Sequence, residues 1–169
     1  MRRREFLGLA ALPLAQALNR QPLRASRGRV IAAGGGDASG VELVTDWAGD
    51  ACRSRVINRT RAAIRIKEVV LFDVELAMPA ETALYGEGFQ MLTQTAGTLG
   101  APADLSQYTD AKHYRIPASE GARAYYGLLT LTPPGGDTSL HAFTSCARFS
   151  GRFEQIGRAS CRERVYDDV

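Results

Sequence analysis

The sequence predicts an all-β chain, a β-sandwich with no long helix in its mature part, and three observations carry that prediction. Period-two alternation opens at Val41 and returns at Ile64, an aromatic and aliphatic block opens at Ala124, and Gly and Pro punctuate the intervals where no 3.6-residue apolar stripe develops. Alternation puts successive side chains on opposite faces of a strand, and several short strands separated by turn residues pack as two layers. At 169 residues, 45% hydrophobic and 23% charged, the chain has enough apolar material for one core, so disorder is not expected.

Met1-Arg2-Arg3-Arg4-Glu5-Phe6-Leu7 precedes an apolar run over 8–14 and then Ala15-Gln16-Ala17. A positive flank, a short apolar stretch and a small-x-small site make residues 1–17 a secretory signal. The run falls well short of the roughly 20 residues needed to span a bilayer, so no membrane anchor is expected in the mature form. Arg3-Arg4-Glu5-Phe6-Leu7 resembles the bacterial twin-arginine export pattern, which implies a periplasmic or secreted destination. Residues 18–40 have no hydrophobic period and read as a linker. Its Gly34-Gly35-Gly36 triplet is followed by no Lys-Ser/Thr pair and no helix, so it is not a phosphate loop.

The sandwich is expected over 41–154. Val41, Leu43 and Thr45 alternate with Glu42, Val44 and Asp46 up to Trp47, and Val56-Ile57 runs into a turn at Asn58-Arg59-Thr60-Arg61. Ile64, Ile66 and Glu68 alternate with Arg65, Lys67 and Val69. The run Val69-Val70-Leu71-Phe72 is apolar on both faces, as for a strand between two packed layers. Residues 84–95 read as a loop in which Gly86 and Gly88 flank Glu87, with Tyr85 and Phe89 beside it. Such groups hydrogen-bond to or stack on sugars. A polar loop is expected from Ala96 to Lys112, then one strand over 124–132 that turns through Pro133-Pro134-Gly135-Gly136-Asp137 into a second from Leu140 to Phe149.

Ile156-Gly157-Arg158-Ala159-Ser160-Cys161-Arg162-Glu163-Arg164-Val165 resembles one translated frame of a common short-read sequencing adapter, and a CAG codon for Gln155 supplies the two bases before it. Residues 155–169 are therefore expected to be foreign to the native domain, which would then be truncated after Glu154. Without 1–27 and 156–169 there remain 12 basic and 14 acidic side chains, so the net charge of +3 resides at the ends and argues for no nucleic-acid partner. Cys52 and Cys146 remain, either as a periplasmic disulfide or as two buried thiols.

Few residues offer chemistry. His113 and His141 have no Cys or carboxylate at ligand spacing, so neither a metal site nor a cofactor is expected. Tyr125, Tyr126 and Phe143 read as packing aromatics, Asp104 and Asp110 as turn residues, and no Ser/His/Asp set is present.

The runs Leu84-Tyr85-Gly86-Glu87-Gly88-Phe89-Gln90-Met91-Leu92, His113-Tyr114-Arg115-Ile116-Pro117, Tyr126-Gly127-Leu128-Leu129-Thr130-Leu131-Thr132-Pro133-Pro134-Gly135 and Phe143-Thr144-Ser145-Cys146 resemble the N-terminal domain of bacterial melibiase-type α-galactosidases. The resemblance covers roughly 41–154. It implies an incomplete β-supersandwich of the galactose-mutarotase type, packed in the whole enzyme on a (β/α)₈ barrel that hydrolyses terminal α-galactosides with retention. Retaining hydrolysis uses two carboxylates about 5 Å apart, and in this family both are barrel aspartates. The Trp-Cys-x-Trp run that opens the family's barrel is absent. The resemblance thus implies no catalytic residue here, no hydrolysis by this chain alone, and an α-galactoside or oligosaccharide substrate held through the barrel. Glu87, Phe89 and Gln90 are the candidate substrate-binding residues, since Tyr-Gly-x-Gly resembles a loop that reaches the barrel mouth in related α-glucosidases. Oligomerisation stays open. So do two alternatives: a stand-alone carbohydrate-binding module and a structural sandwich used for assembly.

Overall fold

The computed structural model describes residues 21–116, 121–144, 150–156 and 160–166, the last of these as backbone. The expected leader, Pro117 and Cys146 lie outside the described residues. Twelve strands dominate: β1 (Arg29–Ala32), β2 (Val41–Ala48), β3 (Ala51–Asn58), β4 (Ile66–Glu75), β5 (Ala83–Glu87), β6 (Gln94–Thr98), β7 (Ala101–Asp104), β8 (Ala122–Tyr126), β9 (Leu128–Thr132), β10 (Ser139–Ala142), β11 (Ser150–Ile156) and β12 (Ser160–Tyr166). Among the described residues the helices are two short turns, α1 (Gln21–Ala25) and α2 (Asp110–His113), and a 3₁₀ turn at Phe89–Met91. The all-β prediction is thus met, with several antiparallel sheets and, among the described residues, no long helix. Among the described residues no helix is long and apolar enough to cross a membrane.

Sheet I has the order β1-β4-β12-β11-β8, sheet II the order β10-β9-β5-β6-β7, and β2 and β3 form a separate ribbon. Leu84, Leu129 and Leu131 from sheet II meet Tyr125 and Phe153 from sheet I in one buried cluster, with Leu76, Met78, Leu99 and Phe143 packed against it. Each large apolar side chain buried there contributes about 1.5–3 kcal/mol. The Tyr125 hydroxyl donates to Gln155 Oε1 at 3.1 Å, and Gln155 Nε2 donates to the Leu99 carbonyl at 3.2 Å, so the polar atoms inside the cluster are paired.

Several local expectations change. Residues 124–132 do not form one strand: Gly127, at φ 73°, breaks the run, sending β8 into sheet I and β9 into sheet II. Only a residue without Cβ turns so sharply at positive φ without strain. The run therefore links two layers, and the apolar character common to both halves hid the corner. The hairpin itself forms, β9 pairing with β10 around a Pro133–Gly136 turn whose Gly136 amide donates to the Pro133 carbonyl at 3.0 Å. Within the segment expected as a linker, Arg29–Ala32 pairs with β4 as an edge strand. Four residues are too few to show a period.

β4 buries Glu68, Val70, Phe72 and Val74 while the alternate residues are half-buried or exposed, so one face is covered fully, where two were expected. The Trp47 ring of the ribbon meets Phe72 at 5.7 Å. Residues 94–104, expected as loop, form the β6–β7 hairpin, in which Gly97 at φ 116° crosses the close approach of Ala101. Residues 160–166, all but the last within the stretch that resembles adapter-encoded sequence, lie between β4 and β11 as β12.

Candidate functional site

The stretch read as a sugar-contacting loop is half strand. Leu84 to Glu87 belong to β5, in the middle of sheet II, and the loop proper is residues 88–93. Gly86 is fixed by packing: a Cβ there would stand 2.3 Å from Tyr125 Cδ1. Gly88 answers to a different neighbour, since its Cβ would stand 2.6 Å from Thr93 Cβ and 2.8 Å from Asp110 Oδ1. Both glycines of the Tyr-Gly-Glu-Gly motif thus allow close approach.

Asp110 organises the loop. Its two carboxylate oxygens accept the Phe89 amide at 3.1 and 3.0 Å across 21 residues of chain, a charge-assisted contact stronger than a neutral one. Thr109 caps α2 by accepting the Lys112 amide at 3.3 Å, which sets Asp110 in the first helical turn. Gly88 donates to the Thr93 carbonyl at 2.5 Å and closes the loop. Gln90 and Met91 follow at φ 56° and 60°; with Arg115 they are the non-glycine residues of positive φ among those described. Each such residue stores about 1–3 kcal/mol of strain, which persists only where the surroundings impose it.

Of the predicted contact residues, Phe89 turns inward. Its ring meets Tyr114 edge-on at 5.2 Å and Tyr126 at 5.5 Å, and His113 in turn meets Tyr114 at 4.7 Å and Tyr108 at 6.1 Å. Gln90 is exposed, and its Oε1 accepts the Tyr114 hydroxyl at 3.3 Å. Glu87 is half-buried beside Tyr85, whose hydroxyl reaches Glu87 Oε1 at 3.5 Å. Burial first, then the Glu87 charge and hydrogen bond, hold the Tyr85 phenol above its ordinary pKa. Glu87 ends β5 and Phe89 and Gln90 stand in the loop that follows it, and Gln90 and Glu87 keep polar groups near the surface.

Sequence reasoning missed the exposed side chains of this end. Met91 is 70% exposed, and Leu92, Leu105 and Tyr108 are exposed as well, the Leu105 amide donating to the Gln94 carbonyl at 2.8 Å. It also read Asp104 and Asp110 as turn residues only. Asp104 instead pairs with Arg123 at 2.7 Å and accepts from Thr95 Oγ1 at 3.0 Å, joining β7 to β8 across the two sheets. A cleft of about 570 Å³ opens there, lined among others by Thr95, Asp104, Asp110, Arg123, Tyr126 and Gln155. Thr109-Asp110 is a legible helix-cap signal, but nothing local shows that the carboxylate reaches back to residue 89.

His113 and His141 lie on separate elements. His141 Nε2 is buried without a partner among the described residues, the ring stands 6.3 Å from Phe153, and burial lowers its pKa. Tyr125 and Phe143 belong to the core, as expected of packing aromatics. The Cys52 thiol lies 3.7 Å from Ser54 Oγ. Among the described residues no group of three metal-binding side chains forms. No family model, no curated protein and no solved structure matches this chain.

Proposed function

We propose that this chain is the N-terminal, non-catalytic β-sandwich region of an exported α-galactosidase-type glycoside hydrolase, in which a separate (β/α)₈ barrel supplies both reacting carboxylates. Its own part is to hold the loop of residues 87–92 against the sugar or the barrel's rim. One observation supports this most: the loop is locked in a strained shape from inside, by Asp110 on the Phe89 amide and Tyr114 on Gln90, while Met91 is held out to solvent. A loop preorganised in this way loses little entropy on contact with a ligand or neighbouring domain. Glu87 and Gln90 supply its polar atoms.

The test has two arms. This chain alone, given p-nitrophenyl α-galactoside, turns over nothing. In the polypeptide that carries the barrel, Glu87→Gln lowers kcat/KM; unchanged kcat and KM would remove the loop from the substrate. A second reading, a stand-alone carbohydrate-binding module, is supported by the cleft between β7 and β8, where Asp104 and Arg123 stand among apolar walls. Calorimetric binding of galactose or melibiose to this chain, abolished by Arg123→Ala, would favour it over the first.

A further inference from the structure

We infer that the cleft between β7 and β8 selects neutral, hydroxyl-rich ligands the size of a mono- or disaccharide, with Asp104 and Arg123 together reading a ligand hydroxyl and turning away acidic sugars. This specificity presupposes the second reading above, that the chain binds carbohydrate. The cleft opens where both layers end, sheet I in β8 and sheet II in β7. Its volume of about 570 Å³ lies within the roughly 300–1,000 Å³ of small-molecule sites.

The polar groups of the cleft have bonding capacity left over, and of one kind. Asp104 Oδ1 accepts from both Arg123 Nη1 at 2.7 Å and Thr95 Oγ1 at 3.0 Å. Among the described residues, Asp104 Oδ2 then has no donor, and Arg123 Nη2 and Nε have no acceptor. The Asp104 and Arg123 side chains are 33% and 39% exposed, so a ligand reaches both. A free acceptor beside free donors matches a hydroxyl, which donates and accepts through one oxygen. Thr93, 6% exposed, lines the same cleft, and its hydroxyl has no partner among the described residues. A buried hydroxyl in that state is unfavourable, and a second ligand hydroxyl answers it. Leu99, Pro102, Ala124 and Tyr126 supply apolar surface for the C–H faces of a sugar ring.

Charge sets the limit on what enters. Asp104 and Asp110 outnumber Arg123 in the lining, so a ligand carboxylate drawn to the guanidinium meets two groups of its own sign. Like charges brought together at a binding face are strongly disfavoured, whereas a neutral hydroxyl meets no such opposition.

Calorimetry on the full 169-residue chain compares galactose and glucose with galacturonate and glucuronate. At least one neutral sugar binds, and its uronate binds at least about tenfold more weakly. Asp104→Asn keeps the side chain's shape and removes one charge, so the uronate gains at least about fivefold relative to the neutral sugar; a merely structural Asp104 would weaken both alike. A uronate bound as tightly as its neutral parent overturns the selectivity and leaves carbohydrate binding standing. Binding of none of the four removes that reading and the selectivity with it. Should Asp104→Asn not fold, the ranking of the four sugars on the unaltered chain decides.

Discussion

Replacing Gly86 by Ala adds one methyl group where there is no room for it. The new Cβ would stand 2.3 Å from Tyr125 Cδ1 and 2.8 Å from Cγ. Tyr125 has no space to yield, being 1% exposed and tied through its hydroxyl to Gln155. Overpacking of this kind costs about 1–3 kcal/mol, and straining the buried hydrogen bond adds about 1 kcal/mol. Gly86→Ala is therefore expected to destabilise by about 2–4 kcal/mol. At a urea dependence of about 2 kcal/mol per M, the midpoint followed by circular dichroism falls by about 1–2 M. Gly34→Ala is the control: its Cβ meets nothing within 4 Å, and its φ is ordinary, so the change stays within about 0.5 kcal/mol. Adding Tyr125→Leu removes the clash, so the double mutant is more stable than the sum of the singles by at least about 1 kcal/mol. A Gly86→Ala midpoint within error of the parent, or strict additivity in the cycle, would refute the packing argument.

Two further outcomes follow from the site. Asp110→Asn leaves one acceptor oxygen and no charge at the Phe89 amide, and weakens the loop clamp by about 1–2 kcal/mol; amide exchange at Phe89 then rises by roughly tenfold, and an unchanged rate would show that the clamp contributes nothing. His141 is neutral in the fold because burial lowers its pKa below the ordinary value, so stability is complete above about pH 6.5 and declines as the pH drops from there toward the lowered folded value. His141→Phe removes that decline in urea midpoints taken between pH 7.5 and 5.5, and its persistence would assign the effect to another group.

The strands that announced themselves were those with a long uninterrupted alternation, β2 and β4, and the hairpin marked by Pro133 to Asp137. What the sequence concealed has three physical sources. Gly127 carries the same local signal as a glycine inside a strand, and only the layers on either side distinguish a corner from a bulge. The motif around Gly86 was read as a loop because its glycines suggest freedom, whereas one lies beneath Tyr125 and the other beside Asp110, contacts 39 and 22 residues away in sequence. Short strands such as β1 and β7 contain four residues each, which is two alternations and no period. At the site, Phe89 and Gln90 stand in the predicted loop, whereas Glu87 ends strand β5. The inward turn of the Phe89 ring was not legible, because its partners Tyr114 and Tyr126 come from distant segments.

The two layers are built on different schedules. Sheet II is drawn from residues 83–142 and is made largely of neighbouring hairpins, whereas sheet I joins Arg29–Ala32 and Ile66–Glu75 to strands beyond residue 150. Long closures are slow because chain entropy is lost before contact is gained. During synthesis, Leu84, Leu129 and Leu131 therefore assemble into a greasy surface before Phe153 has left the ribosome. Until that ring arrives, the half-made protein offers the surface to any nearby chain, and the recovery of soluble material depends on how briefly this interval lasts.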